Sequence, residues 1–220
     1  MLYIFDMGGV ITTTFDMKII YQKLKLSKEQ FNEICNFGKI NLLAEYEIGT
    51  ITASYFWEQF YARIGNMQHL DLNGINTLQA DLKVITPEVL SEIPEYKYDL
   101  FRMCFHPELQ KDVVKVVETL KKNNRVVCGT NTNQSHWENH MERGDYSIFH
   151  QTYASNKMGV MKPDPEFFRI ILESEGYEPQ QAFFTDDKLE NCNAAASLGI
   201  NVYHFKSASG LKAAIKKIQK

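Results

Sequence analysis

The chain has no stretch approaching the roughly 20 consecutive apolar residues that a membrane-spanning helix needs. Its first residues lack the basic and apolar regions of a secretory signal. Cysteine is scarce. Cys35, Cys104, Cys128 and Cys192 lie far apart with no CxxC pair among them, so they read as reduced, mostly buried thiols in a cytoplasmic protein. An excess of one charge is also missing. The net charge is −3 over 220 residues, which argues against nucleic acid or an anionic membrane as partner. An anionic ligand would have to be held by local groups, not by the global field. Internal repeats and low-complexity tracts are absent from the sequence.

The composition that is present, 44% hydrophobic and 23% charged, is that of an ordinary globular protein with one large or two small domains. Leu2–Phe5 is a short apolar run that ends in Asp6 and the turn-forming Gly8-Gly9, the signature of a buried strand. Similar runs occupy 125–129, ending in Thr130-Asn131, then 182–185, ending in Asp186-Asp187, and 201–205. Residues 152–154 suggest a further edge strand. Helical periodicity precedes these runs over 107–122, Pro165–Glu175 and 189–198. Alternating strands and helices predict an α/β fold with a Rossmann-like, mostly parallel sheet flanked by helices.

The segment 14–98 breaks the alternation. Residues 15–24, Lys28–Asn36, 40–48 and 53–64 each show an amphipathic helical pattern, with Gly38, Gly49 and Gly65 as punctuation and Ser27 and Thr52 as N-caps. Residues 66–98 lack a clean period and are assigned as a partly helical extension. We therefore expect an inserted all-helical cap over 14–98 and an α/β core from 1–13 and 99–220. A long insertion directly after the first strand is a candidate lid.

In a parallel sheet, ligands sit beyond the carboxyl ends of the strands, which is where Asp6, Thr130-Asn131 and Asp186-Asp187 fall. Each has a bland reading as a cap or turn residue. Together they suit phosphoryl transfer. Asp6 can act as a nucleophile on phosphorus. Asp186 and Asp187 repel each other unless a cation joins them, and Mg²⁺ accepts hard oxygen ligands of this kind. Lys162 can pair with a phosphate and with the carboxylate of Asp6. The Thr130 hydroxyl and neighbouring N–H groups can hold phosphate oxygens. His136 and His140, four residues apart, could ligate a metal from one helix face, although solvated histidines are commoner. Trp57, Phe56, Phe60 and Tyr61 form an aromatic stripe that is either cap core or a sugar-stacking face.

The four segments resemble the motifs of the haloacid dehalogenase-like hydrolase superfamily: Phe5-Asp6-Met7-Gly8-Gly9-Val10-Ile11, Thr130-Asn131, Lys162-Pro163 and Phe184-Thr185-Asp186-Asp187, the last followed by Asn191, Ala195 and Gly199. Residues 45–52 are similar to an acidic-Gly-Ile-Thr segment of its helical caps, and Thr130–Asn133 resembles that of small bacterial sugar-phosphate phosphatases. The resemblance implies Asp6 as nucleophile and metal ligand, with the Gly8 carbonyl, Asp187 and Asp186 completing a Mg²⁺ site. It implies Thr130, Asn131 and Lys162 as binders of the phosphoryl group, and Asn191 as a residue that orients the fourth loop. The substrate would be a small phosphorylated metabolite, the protein a monomer or homodimer, and substrate choice a matter for cap residues such as Glu47, Tyr55, Trp57 and Arg63.

One position departs from the pattern. Phosphatases of the superfamily usually carry a second Asp two residues after the nucleophile, where this chain has Gly8. Loss of a positioned acid/base costs ~10²–10⁴ in rate. A good leaving group or another residue would have to compensate. The alternative is a phosphometabolite-binding or regulatory protein with little catalysis. The dehalogenase branch places an aromatic residue at position 8 and needs no metal, so Gly8 and the Asp186-Asp187 pair argue against it.

Overall fold

The computed structural model describes residues 1–37, 39–66 and 99–219. Gly38 and most of the expected extension over 66–98 lie outside the described residues. The chain divides into two compact units, one of residues 1–15, 106–132 and 140–220 and one of residues 16–105 and 133–139.

The first unit is an α/β structure. Five strands, β1 (Leu2–Phe5), β2 (Arg125–Thr130), β3 (Gln151–Ala154), β4 (Ala182–Asp186) and β5 (Asn201–His204), form one sheet in the order β3-β2-β1-β4-β5, and every pairing is parallel. Every residue of β1 is 0% exposed. That explains why its sequence is continuously apolar and not alternating: a central parallel strand is covered on both faces. Leu2, Ile4, Val127 and Phe184 pack with Phe167, Phe168 and Ile171 of the helix Pro165–Glu175 in one cluster. Asp164 caps that helix, Pro165 occupies its first turn, and Gly176 ends it in the left-handed conformation.

The chain runs outward from β1 to β2 and β3, then returns to β4 on the other side of β1. The strand order therefore reverses between β1 and β4, and a ligand crevice is expected beyond their carboxyl ends. Register places Phe5 beside Thr185, and the Asp6 N–H donates to the Thr185 carbonyl at 3.0 Å. Asp6 and Asp186 thus leave adjacent strands side by side.

The helix expected from Pro107 begins at Lys111 instead and runs to Lys121. Residues 108–110 are held extended: Thr13 N–H donates to the Glu108 carbonyl at 2.8 Å, and Gln110 N–H to the Ile11 carbonyl at 2.7 Å. Leu109, assigned to the helix's apolar stripe, is 37% exposed.

The regular elements of the second unit are helical throughout its described residues: Lys18–Leu24, Lys28–Asn36, Leu42–Glu47, Ala53–Asn66 and Leu100–Cys104, with the first part of Gln134–Arg143. Ser27 and Gln30 form a capping box. Thr52 Oγ1 accepts from the Tyr55 N–H at 3.2 Å. Gly65, read as a break, lies inside a helix that continues to Asn66. Tyr46, Phe56, Trp57, Phe60 and Phe101 pack ring against ring in the core of this unit. Residues 99–105 and 133–139 group with these helices. Asp99 joins them by accepting from the Trp57 Nε1–H at 3.1 Å and from the Ser135 hydroxyl.

Candidate active site

Asp6 follows the last residue of β1, Asp186 is the last residue of β4, and Asp187 comes next. A carboxylate oxygen from each of the three lies within 4.8 Å of the others. Lys162 reaches the same point from the loop between the short helix Ser155–Met158 and the helix Pro165–Glu175. Its ammonium donates to Asp6 Oδ1 at 2.8 Å, to Asp186 Oδ2 at 2.7 Å and to the Gly129 carbonyl at 2.9 Å. An ammonium has three N–H donors, so all of them are used inside the protein. The Lys162 side chain is 1% exposed and that of Asp6 is 11% exposed.

This concentration of charge shifts the titrations. Burial pushes Asp6 up to about 7, with Asp186 adding to the shift and Lys162 opposing it. Burial pushes Asp186 up as well, but the Lys162 ammonium, the Lys188 N–H and the Asn191 amide outweigh it and hold its carboxyl below the ordinary value. Asp187 is raised by burial and by the charge of Asp186. Burial alone would lower Lys162, yet Asp6 and Asp186 raise it. Three carboxylates facing one ammonium leave an excess of negative charge in a low-dielectric place, which is costly without a further cation. Hard carboxylate oxygens of this number suit Mg²⁺. The donor set therefore fits the ion that the sequence implies.

The turn after β1 shapes the cluster. Met7 carbonyl accepts from the Ile11 and Thr12 N–H groups at 2.9 Å, folding residues 7–12 back on themselves. Gly9 has φ 78°, and a Cβ placed there would collide with the Asp187 carboxylate. Only glycine allows the backbone to pass so close to that carboxylate. A Cβ on Gly8 would meet no atom within 4 Å, so position 8 faces open space and offers no acid or base.

Thr130 ends β2 and is 3% exposed; its hydroxyl donates to the Asn131 carbonyl at 3.3 Å. The Asn131 side chain turns to the main chain of Lys162. Nδ2 donates to the Lys162 carbonyl at 2.8 Å, and Oδ1 accepts from the Lys162 N–H at 2.9 Å. Asn191 Nδ2 donates to Asp186 Oδ2 at 2.9 Å. Two participants escape sequence reading. The Gly129 carbonyl is a backbone acceptor and carries no residue-type signal. His204 Nε2, 2.8 Å from the Asp187 carbonyl, comes from β5, whose side chains cannot be assigned to the site without the strand order.

Other candidates belong elsewhere. Among the described residues, only Asp6, Asp186 and Asp187 form a group able to hold a metal. His140 Nδ1 lies 2.7 Å from Asp145 Oδ2 in a buried pair, and His136 stacks on Phe105 at 3.8 Å. Trp57 is fully buried. Arg63 donates to the carbonyls of Ile34, Cys35 and Ile40. Both are committed within the helical unit and are not free to choose a substrate.

The family model for haloacid dehalogenase-like hydrolases matches residues 1–199, and the chain belongs to that family. Its fold is similar to that of a HAD family enzyme of Bacteroides thetaiotaomicron solved in complex with magnesium and inorganic phosphate. The TM-score is 0.64, with 24% identity and 93% of each chain covered. It is also similar to a 2-haloacid dehalogenase of Pseudomonas syringae pv. Tomato, with TM-score 0.61, 16% identity and 98% of each chain covered. At these identities the likeness speaks for the fold alone. A sesquiterpene phosphatase of Aspergillus oryzae is 34% identical over 61 residues, which are 28% of this chain and 31% of that protein. Across five curated relatives, the matched segments span between 4% and 36% of the relative's length. No helix among the described residues is long and apolar enough to cross a membrane.

Proposed function

We propose that this chain hydrolyses a small phosphomonoester, with Mg²⁺ as cofactor, through an aspartyl-phosphate on Asp6. The observation that carries this reading is the meeting of Asp6, Asp186 and Asp187 within 4.8 Å beside the Lys162 ammonium. Dehalogenation calls for no such surplus of carboxylates.

An Asp6 oxygen attacks phosphorus, and the ester P–O bond breaks with its electron pair leaving on the alcohol oxygen. The leaving alkoxide takes a proton from solvent; water then attacks the phosphorus of the acyl phosphate and gives up a proton to solvent, releasing inorganic phosphate and restoring the carboxylate. Asp6, Asp186, Asp187 and the Gly8 carbonyl would hold the Mg²⁺, which supplies positive charge to the phosphoryl oxygens. Thr130 offers its hydroxyl to the same oxygens. Lys162 favours the ionised form of Asp6 against the effect of burial and orients it; to touch the phosphoryl group it must give up one of its three present acceptors. The helical unit is proposed as the cap that selects the substrate. Gly8 limits the leaving group to one that departs with little protonation, such as an anomeric sugar oxygen, unless another residue protonates it. The same glycine supports a second reading, a phosphometabolite-binding protein with slow turnover.

Phosphate release across a panel of phosphorylated sugars, nucleotides and small acids, with Mg²⁺ or EDTA, separates the two. The proposal expects Mg²⁺-dependent release that falls ~10⁴-fold or more in Asp6→Asn. Binding of phosphorylated ligands without release would favour the second reading.

A further inference from the structure

Lys162 works at the end of a loop, and a loop lysine is ordinarily a poor anchor: its stem has four rotatable bonds, and its backbone is free to shift. Here the backbone is fixed by one side chain. Asn131 meets both main-chain polar groups of Lys162, accepting from its N–H at 2.9 Å and donating to its carbonyl at 2.8 Å. The partners settle the orientation of the amide, because an N–H can only donate and a carbonyl can only accept. Asn131 follows the last residue of β2, and Gly129 of the same strand provides the third acceptor of the Lys162 ammonium. The end of β2 therefore holds Lys162 at both its root and its tip, across 31 residues of sequence.

We propose that Asn131 is a positioning residue that acts through Lys162, and that its side chain does not bind the phosphoryl group itself. The kinetic and binding consequences rest on the phosphatase reading; the placement of Lys162 does not. With the amide removed, the Lys162 N–H and carbonyl lose fixed partners, the loop is free to shift, and the ammonium no longer stays between Asp6 and Asp186.

The test is a double-mutant cycle on Mg²⁺-loaded protein, with inorganic phosphate as the ligand in calorimetry. It compares wild type, Asn131→Ala, Lys162→Ala and the double variant, each checked for folding by circular dichroism. Asn131→Ala alone should weaken phosphate about tenfold, the scale of a lost hydrogen-bond pair. In the Lys162→Ala background the same change should have almost no effect, because the group it positions is gone. Equal losses in both backgrounds, or no loss in wild type, would overturn the proposal. A crystal structure of Asn131→Ala tests the placement without any ligand. Lys162 Nζ should leave its position between Asp6 and Asp186, and an unmoved ammonium would overturn the proposal. If wild type neither binds phosphate nor releases it from any ester, the phosphatase reading fails, and the crystal structure still decides the role of Asn131.

Discussion

Asp99 in the helical unit and Asp186 in the α/β unit are both 0% exposed, yet they are accommodated by different means. Asp99 accepts from the Trp57 indole N–H, the Arg102 backbone N–H and the Ser135 hydroxyl, and Ser135 in turn meets the Tyr46 hydroxyl. Neutral donors surround it, and it ties three segments of one helical unit together. Asp186 sits beside two more carboxylates and shares one ammonium with Asp6. A buried carboxylate saturated by hydrogen-bond donors is a structural element. A buried carboxylate crowded by others of its own sign, with too little positive charge, is costly to keep without a further cation, which is the basis of the metal site we propose. Fold alone does not separate the two roles; the local balance of charge does.

That contrast makes the largest stability prediction. Asp99→Ala strips three donors of their acceptor at once and should lower unfolding free energy by about 2–4 kcal/mol. Urea unfolding measures the loss, and a change below ~1 kcal/mol would mean that the Asp99 network is not structural. Gly9→Ala attacks the other region. It forces a Cβ into the left-handed turn and against Asp187, at a cost of about 1–3 kcal/mol, and it should reduce Mg²⁺-dependent activity in proportion as Asp187 is displaced. A variant with normal Mg²⁺ response would show that Asp187 does not need its present place.

Glu175, a partly buried residue, shows a carboxylate with full charge pairing. Glu175 accepts from Arg125 Nε at 2.6 Å and Nη2 at 2.9 Å, and from the Tyr153 hydroxyl at 2.8 Å. These contacts pin the helix Pro165–Glu175 to β2 and β3. Burial pushes Glu175 up, but Arg125 and Tyr153 outweigh it and hold the carboxyl below its ordinary 4.5. A carboxyl whose folded value is depressed adds stability that is complete above its unfolded value and fades as pH falls through the folded one. Glu175→Gln should therefore cost about 1–2 kcal/mol at neutral pH, and its unfolding curve should converge on that of wild type in acid. A gap that persists unchanged at low pH would refute the assignment.

The residues that meet at the candidate site are more legible in the sequence than the scaffolding that brings them together. Leu2–Phe5 followed by Asp6, and the run ending in Asp186-Asp187, declare strand ends with carboxylates, and Lys162 stands out beside Pro163. What brings them together is the sheet order, which no local pattern encodes. Leu109 has helical spacing but is captured by residues 11–13 in extended pairing, a tertiary contact that overrides local preference. Asp99 caps a short helix, accepting from the Arg102 N–H at 3.1 Å. Its bonds to Trp57 and Ser135 span 42 and 36 residues and leave no trace in the neighbouring sequence. Trp57 and Arg63 are residue types that often contact ligands, and only their burial and carbonyl partners show that here they serve the fold.

A Mg²⁺ titration by calorimetry on wild type and Asp187→Asn decides whether the three carboxylates bind a divalent cation. The ion pairs of Lys162 go to Asp6 and Asp186, whereas burial and the charge of Asp186 raise the Asp187 carboxyl against the pull of Lys188 and Lys162. The substitution should thus leave the metal-free protein as stable as wild type or slightly more stable. Wild type should show one Mg²⁺ site that is lost or weakened at least tenfold in the variant. Wild type that binds no Mg²⁺, or a variant that binds it equally well, would contradict the reading of Asp6, Asp186 and Asp187 as a cluster built around a divalent cation.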